Sequence, residues 1–554
     1  MGIKRFELNR KELLNHARKS LDRDDIMDAL RWANKADRLY KDIQSDYEFQ
    51  ELYADIYECA GITETAIKHW FYALDSAEES DLNEIYDALG ACFEQQGDKG
   101  TAAYYYEKLV RRLDWNKDEI DNFLSDFDEP QPERKTGFQP VPVREADYTA
   151  ELGRGVDQMR RGEFKKAKKT FSSIPKGSPQ YAKAANLIAI SCLMDGDTET
   201  AIAFAEEQHR DNPEDVELSV TLATAYKNGG RREEGVSLCK KLIERKDLTN
   251  DESFKIAALC CELELHEEAF AYTKKLEKTM PFDGNLLYME GAAALNAGRI
   301  REGIDVFERL RAIYPDAAVV DYYLSYYKNG GREPMSYLYR VPKGERKRRI
   351  AQMNDICTLE KEDAPYYYMD HYSKIRAYFA WCFDEMDGQD VELQALAITV
   401  ALHLDAMDFL QEILLNYEVD DAVKMEIVRT LCVQNRGREL RIVCFNLYHI
   451  LSLPKLSLGR KARKKFLEGY AICISQFGLR IEGFSDILPQ KTEELYRVLA
   501  EKEELELVSC AETVAAALCY VGGLKNGEES LRLVSLLLGA DPDEVSRVLE
   551  VYRG

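Results

Sequence analysis

The chain has 554 residues, of which 45% are hydrophobic and 31% charged, with only 32 glycines and 15 prolines. That balance is too apolar for a disordered polymer and too poor in turn formers for a β-rich or collagen-like chain. A formal net charge of −24 repels nucleic-acid phosphate and anionic lipid heads over most of the surface, which disfavours both as partners.

The N-terminal stretch MGIKRFELNR has no apolar core of the kind a signal peptide needs. The longest apolar runs, such as Val514–Leu518 and Leu536–Leu538, fall far short of a bilayer span, so a cytoplasmic location without membrane association is expected. None of the 13 cysteines forms a C-x-x-C pair, and most sit inside helical apolar patterns. They read as buried thiols of a reducing compartment, with no metal site and no cofactor implied.

In chain order, a first helix pair is predicted around Asp24, Ala29, Ala33 and Ala36. A second carries Ala54 and Tyr57 before Gly61, then Ala66, Trp70 and Ala73. A third carries Gly90 and Phe93 before Gly97, then Ala102, Tyr106 and Leu109. Four prolines between Asp126 and Asp147 (Pro130, Pro132, Pro140, Pro142) exclude helix there and predict an extended linker.

Beyond it a strict period appears: Gly162, Gly196, Gly230, Glu264 and Gly298 stand 34 residues apart. Five residues after each comes a small residue (Ala167, Ala201, Gly235, Ala269, Gly303), and proline follows at Pro179, Pro213, Pro281 and Pro315. Such spacing describes a helix that ends at a left-handed cap and a second helix that packs closely on it before proline stops it. A helix pair cannot bury both of its faces alone, so such units stack. A last helix, Val319–Tyr327, ends at Asn329-Gly330-Gly331, and Pro334 interrupts its expected partner.

This pattern resembles the tetratricopeptide repeat. The resemblance implies an all-α fold, a right-handed α-solenoid of helix-turn-helix repeats, here followed by an irregular helical C-terminal domain. The expected parts are a first block at residues 1–125, a linker at 126–147, a second block at 148–333 and a C-terminal domain at 334–554. It also implies that the first helix of each unit lines a concave groove for a protein partner. In the first block those positions are Glu48, Glu51, Asp55, Glu58, Glu84, Asp87 and Glu94, with Ala91 between. In the second they include Thr224, Lys227, Asn228, Tyr288, Asn296 and Tyr327. No unit carries the family's Lys/Asn clamp for a terminal carboxylate. The acidic set either attracts a basic segment or merely keeps an exposed face solvated, whereas Tyr and Asn suit peptide contact.

From Pro334 the register is lost while helical periodicity continues through Ile375–Met386, Val391–Leu404, Met407–Leu415, Asp421–Val433 and Arg441–Leu451. Part of this stretch is loosely similar to HEAT helix pairs. Ser535, Gly539, Val545 and Val548 have the spacing of a helix-turn-helix, but the second helix opens Asp541-Pro542-Asp543-Glu544, which phosphate would repel. Basic clusters at Lys343–Arg349 and Arg460–Lys465 are expected to pair internally.

No phosphate-cradling loop, nucleophile elbow or paired histidine motif occurs, and no catalytic residues are expected. The reading is therefore a non-enzymatic intracellular scaffold or adaptor that holds another protein or peptide segment, with the acidic groove expected to favour a basic one. The alternative is a transcription-associated regulator whose C-terminal helices contact nucleic acid.

Overall fold

The computed structural model describes residues 9–40, 45–113, 115–125, 127, 148–175, 180–246, 248–384, 391–481, 483–523 and 528–553. The linker expected at 126–147 thus lies, apart from Phe127, outside the described residues. The chain divides into two compact units, one made of Met1–Pro140 with Gly344–Gly554 and the other of Val141–Lys343.

The discontinuous unit begins with three helix pairs. They are α1 (Arg10–Leu21) with α2 (Ile26–Leu39), α3 (Tyr47–Cys59) with α4 (Thr63–Ser76), and α5 (Leu82–Gln95) with α6 (Lys99–Arg112), followed by the short α7 (Lys117–Leu124). The inserted unit continues the pattern with α8 (Thr149–Arg160) and α9 (Phe164–Ser172), α10 (Tyr181–Met194) and α11 (Thr198–Asp211), and α12 (Val216–Asn228) and α13 (Arg232–Ile243). It ends with α14 (Asn250–Glu262) and α15 (His266–Leu276), α16 (Gly284–Asn296) and α17 (Ile300–Ile313), and the single α18 (Ala318–Lys328).

One residue turns each pair. Gly61, Gly97, Gly162, Gly196, Gly230 and Gly298 all have φ between +72° and +83°. The residue after each turn donates its N–H to the carbonyl five positions earlier, as Arg231 does to Tyr226 at 2.7 Å and Asp98 to Phe93 at 2.9 Å, closing the first helix. Asp98 then caps the next helix by accepting the Thr101 N–H at 3.0 Å, so a Gly-Asp dipeptide ends one helix and starts another.

Close packing between paired helices explains the small residues. Ala66, Ala102, Ala167, Ala201 and Ala269 are fully buried. At Gly291 in α16, a Cβ would stand 2.3 Å from the Phe307 ring of α17, so only glycine lets that aromatic lie against the helix backbone. Methyl-sized differences at such contacts decide whether adjacent pairs nest.

The remainder of the discontinuous unit comprises α19 (Lys343–Ile356), α20 (Ala364–Asp370), α21 (Tyr372–Cys382), α22 (Val391–Leu404), α23 (Met407–Leu415) and α24 (Asp421–Gln434). A hairpin of β1 (Arg438–Cys444) and β2 (Leu447–Leu453) follows. Then come α25 (Arg463–Cys473), which runs on as a π-helical turn at Ile474–Gly478, α26 (Phe484–Glu501), α27 (Ala511–Val521), α28 (Glu528–Leu538) and α29 (Pro542–Arg553).

The hairpin corrects the expected helix at Arg441–Leu451. Cys444 pairs with Leu447, leaving a two-residue turn at Phe445-Asn446 with both φ values positive (+54° and +64°), the geometry that matches strand twist. Val443, Leu447, Ile450 and Leu451 fit helical spacing. The β-branched Ile442 and Val443 and the turn-forming Asn446 favour strands, and burial of Leu440, Ile442, Cys444 and Leu451 against neighbouring elements decides the outcome. The buried Lys424 of α24 donates to the Val443 carbonyl at 2.7 Å, and burial depresses its pKa.

This hairpin and the loop before α24 share a core with the first helix pairs. Leu415, Val443 and Leu447 pack in one cluster with Phe71, Phe93 and Tyr105. Tyr417 stacks on Phe71 at 6.0 Å. Polar contacts surround that core: Tyr105 donates to the Asn446 carbonyl at 2.9 Å, Asn446 to Asp98 at 2.8 Å, Tyr448 to Asp75 at 2.9 Å, and Thr65 to Glu418 at 2.9 Å. Residues 1–125 and the C-terminal stretch, separate parts by chain order, are therefore one body in space.

The turn slot gives a direct test. Glu264 fills it with φ +57°, a strained conformation for a side-chain-bearing residue, whereas a Cβ at Gly230 would meet nothing within 4 Å and so feel only its φ of +77°. Gly230→Ala is expected to cost about 1 kcal/mol, and Glu264→Gly to change stability in the opposite direction by at most about the same amount. Urea-denaturation midpoints of the two variants measure both effects.

Candidate interaction grooves

The first candidate site lies on α3 and α5. Asp46 caps α3 by accepting the Phe49 N–H at 3.2 Å, and helical spacing then places Glu48, Glu51, Asp55 and Glu58 along one stripe. Glu84, Asp87 and Glu94 form the matching stripe on α5. Glu48, Glu58, Glu84, Asp87 and Glu94 are exposed, and Glu51 and Asp55 are half-buried.

The carboxylates are not equivalent. Glu51 receives the Arg18 guanidinium at 2.6 Å. Glu58 accepts from the Trp70 indole and, at 3.5 Å, from the Cys92 thiol. Glu84 accepts from Tyr47 at 3.3 Å and Glu94 from Tyr106 at 3.1 Å. Asp55 sits among the other acids. Burial, reinforced by the charges of Glu51, Glu58 and Glu84, pushes its carboxyl up to about 7, while Arg18 opposes the shift. Burial raises Glu51 as well, with Arg18 again opposing. A cation placed on this face would relieve repulsion among groups that now raise one another.

The second candidate groove is occupied by the chain itself. After α18 the backbone from 332 to 342 forms neither helix nor strand and bends at 333 and 337–340, and the predicted groove residues hold it. Asn296 donates its side-chain amide to the Met335 carbonyl at 3.1 Å and accepts the Met335 N–H at 2.8 Å. Tyr288, only 2% exposed, donates to the carbonyls of Ser336 at 3.0 Å and Leu338 at 3.2 Å. Tyr327 donates to the Glu333 carbonyl at 2.6 Å. The structure adds two members that sequence reasoning missed. Tyr323 donates to the Arg340 carbonyl at 3.1 Å, and His266 Nδ1 lies 2.8 Å from the Tyr337 hydroxyl. Their only sequence signal was the tyrosine-rich run on α18 facing another in Tyr337 and Tyr339. Thr224 and Lys227 instead engage Glu262 of α14, at 2.9 and 3.6 Å, and Asn228 is exposed.

Part of each basic cluster pairs within the chain. In the first basic cluster Glu345 receives Arg348 at 2.7 Å and Arg349 at 2.8 Å, which holds its carboxyl down at about 2. In the second, Lys461 pairs with Glu506 at 2.9 Å and Lys465 donates to the Val508 carbonyl at 2.7 Å. Val545 and Val548 of α29 are buried, and Glu544 accepts from Thr513 at 2.8 Å. Among the described residues no group of three or more His, Cys, Asp or Glu is placed to hold a metal ion, and no helix is long and apolar enough to cross a membrane.

Asp55 makes a pH prediction. A carboxyl raised in the folded state contributes stability that is fully present below its unfolded value near 4 and is lost as pH rises through about 7. Asp55→Asn is therefore expected to raise the thermal midpoint relative to the parent at about pH 8 and to flatten its pH dependence across that window.

No family model and no curated protein matches the chain. Among solved structures, it is similar to a tetratricopeptide repeat protein from Parabacteroides merdae, with 17% identity over 49% of this chain and 92% of that one, TM-score 0.22. It is also similar to the yeast Sti1 TPR2AB domain in its pHSP90 complex, with 16% identity over 49% and 96%, TM-score 0.19. The human IFIT1 dimer with m7Gppp-AAAA shares 14% identity over 96% and 100%, TM-score 0.28. The helix pairs described above, with their left-handed turns and small-against-bulky packing, give the chain an all-α helical repeat fold of tetratricopeptide-like geometry.

Proposed function

We propose that the protein is a non-enzymatic scaffold that holds a partner protein, and that the acidic face of α3 and α5 takes a basic, extended segment of it. The observation that supports this reading is the mutual repulsion on that face, where Asp55 is driven up to about 7 by burial and by Glu51, Glu58 and Glu84. Arg18 is the cation that opposes this for both Asp55 and Glu51. A lysine- or arginine-bearing chain supplies the missing counter-charge, speeds encounter with a strongly acidic protein and adds directional ion pairs. The placement also fits the packing: α4 and α6 contribute Phe71, Lys68 and Tyr105 to contacts with the C-terminal stretch, whereas most of the carboxylates of α3 and α5 are exposed.

A fluorescently labelled peptide alternating lysine and alanine serves as the probe. Anisotropy is expected to show binding that weakens steeply between about 50 and 500 mM salt, because added salt shortens the Debye length and screens exposed charge pairs. Binding is also expected to strengthen as pH rises through about 7, where Asp55 ionises. Glu48→Lys with Asp87→Lys changes two exposed carboxylates that make no ion pair among the described residues, so the fold is preserved. That variant is expected to bind at least about tenfold more weakly; equal affinity for parent and variant rules out this face.

A further inference from the structure

The segment after α18 is held as a ligand is held. It forms neither helix nor sheet, and it carries Pro334 and Pro342 near its ends. Its carbonyls at Glu333, Met335, Ser336, Leu338 and Arg340 accept from side chains of α16 and α18, and Asn296 grips the Met335 amide from both sides. Those donors address main chain, so they select a non-helical, bent backbone and not a particular sequence.

Side chains add the specificity. Burial alternates along the segment: Met335 and Val341 are buried and Tyr337 and Tyr339 half-buried, whereas Leu338 and Arg340 are exposed. Met335 is 7% exposed and Val341 3%. Tyr337 packs against the core of α14 to α16 beside His266, and the Tyr339 ring lies 4.9 Å from that of Tyr288. Between them Leu338 is 60% exposed. The groove thus reads large apolar or tyrosine side chains at every second position.

We propose that this face of α16 and α18 is a binding groove for a non-helical peptide of that pattern, occupied in cis by residues 333–341 until a partner segment displaces them. The acidic face of α3 and α5 plays no part in this, and neither proposal depends on the other. Because the segment is tethered at both ends, it competes at high effective concentration. A free peptide therefore binds the unaltered chain with an affinity reduced by the small fraction of molecules whose groove is open.

A labelled peptide with the sequence of residues 331–343 tests this by anisotropy. The receptor is the full chain with Met335→Gly, Tyr337→Gly, Tyr339→Gly and Val341→Gly. The peptide is expected to bind this variant at least about tenfold more tightly than the unaltered chain, and adding Asn296→Ala should weaken it by about tenfold or more. A variant that keeps helical circular dichroism and cooperative unfolding yet binds no peptide, or binds regardless of Asn296→Ala, overturns the proposal and makes the segment a fixed part of the fold. If the variant does not fold, native-state hydrogen exchange of the unaltered chain decides. Opening at the Met335 amide well before the α16 amides supports release, and opening only together with α16 refutes it.

Discussion

A helix pair of this kind has more apolar surface than it can hide between its own two helices. Each pair must therefore lend a face to the next, and the array must be finished by something that is not another pair. In the first block that task falls to the hairpin around Phe445-Asn446 and to Tyr417, which cover Phe71 and Phe93. In the second block it falls to the non-helical segment after α18, which places Tyr337 against the core that Leu263 and Met289 help to form. Both finishing elements depart from helix, and side-chain hydrogen bonds to main chain fasten both to the helices they cover.

The repeat was legible because its signals are local. A left-handed turn calls for glycine, a close helix crossing calls for a small residue, and a stop calls for proline, each at a set distance along the chain. Glu264 shows the limit of that logic: the register named the position although its chemistry was wrong for it. The finishing elements were illegible for the opposite reason. Arg441–Leu451 has apolar residues that satisfy both helical and alternating spacing, and the choice is made by Phe71, Tyr105 and Lys424, which lie far away in sequence or on another helix. Tyr288, Asn296 and Tyr327 were readable as groove residues, but nothing in their spacing says that residues 333–338 of the same chain lie against them.

Charge is distributed with the same economy. Although the chain is strongly acidic, the basic clusters find intramolecular acceptors, so Arg348, Arg349, Lys461 and Lys465 are largely spoken for. The carboxylates of α3 and α5 are the converse case, crowded so that the ionisation of Asp55 depends on its neighbours. The two grooves consequently differ in physics. The first is a crowd of carboxylates, whereas the second is built on hydrogen bonds to backbone and on aromatic contact.

The discontinuous unit has a consequence for synthesis. Phe71, Phe93 and Tyr105 leave the ribosome long before Val443 and Leu447, the residues that cover them. Between the two stretches the whole of Val141–Lys343 is made, and it contains its own core. At about 5–20 residues per second, the early helices wait on the order of tens of seconds with an aromatic face exposed, while the inserted unit already has everything it needs to fold. Closing that gap joins segments more than 300 positions apart, so the first helices of the chain are among the last to be completed, and a nascent-chain chaperone has its longest window of access there.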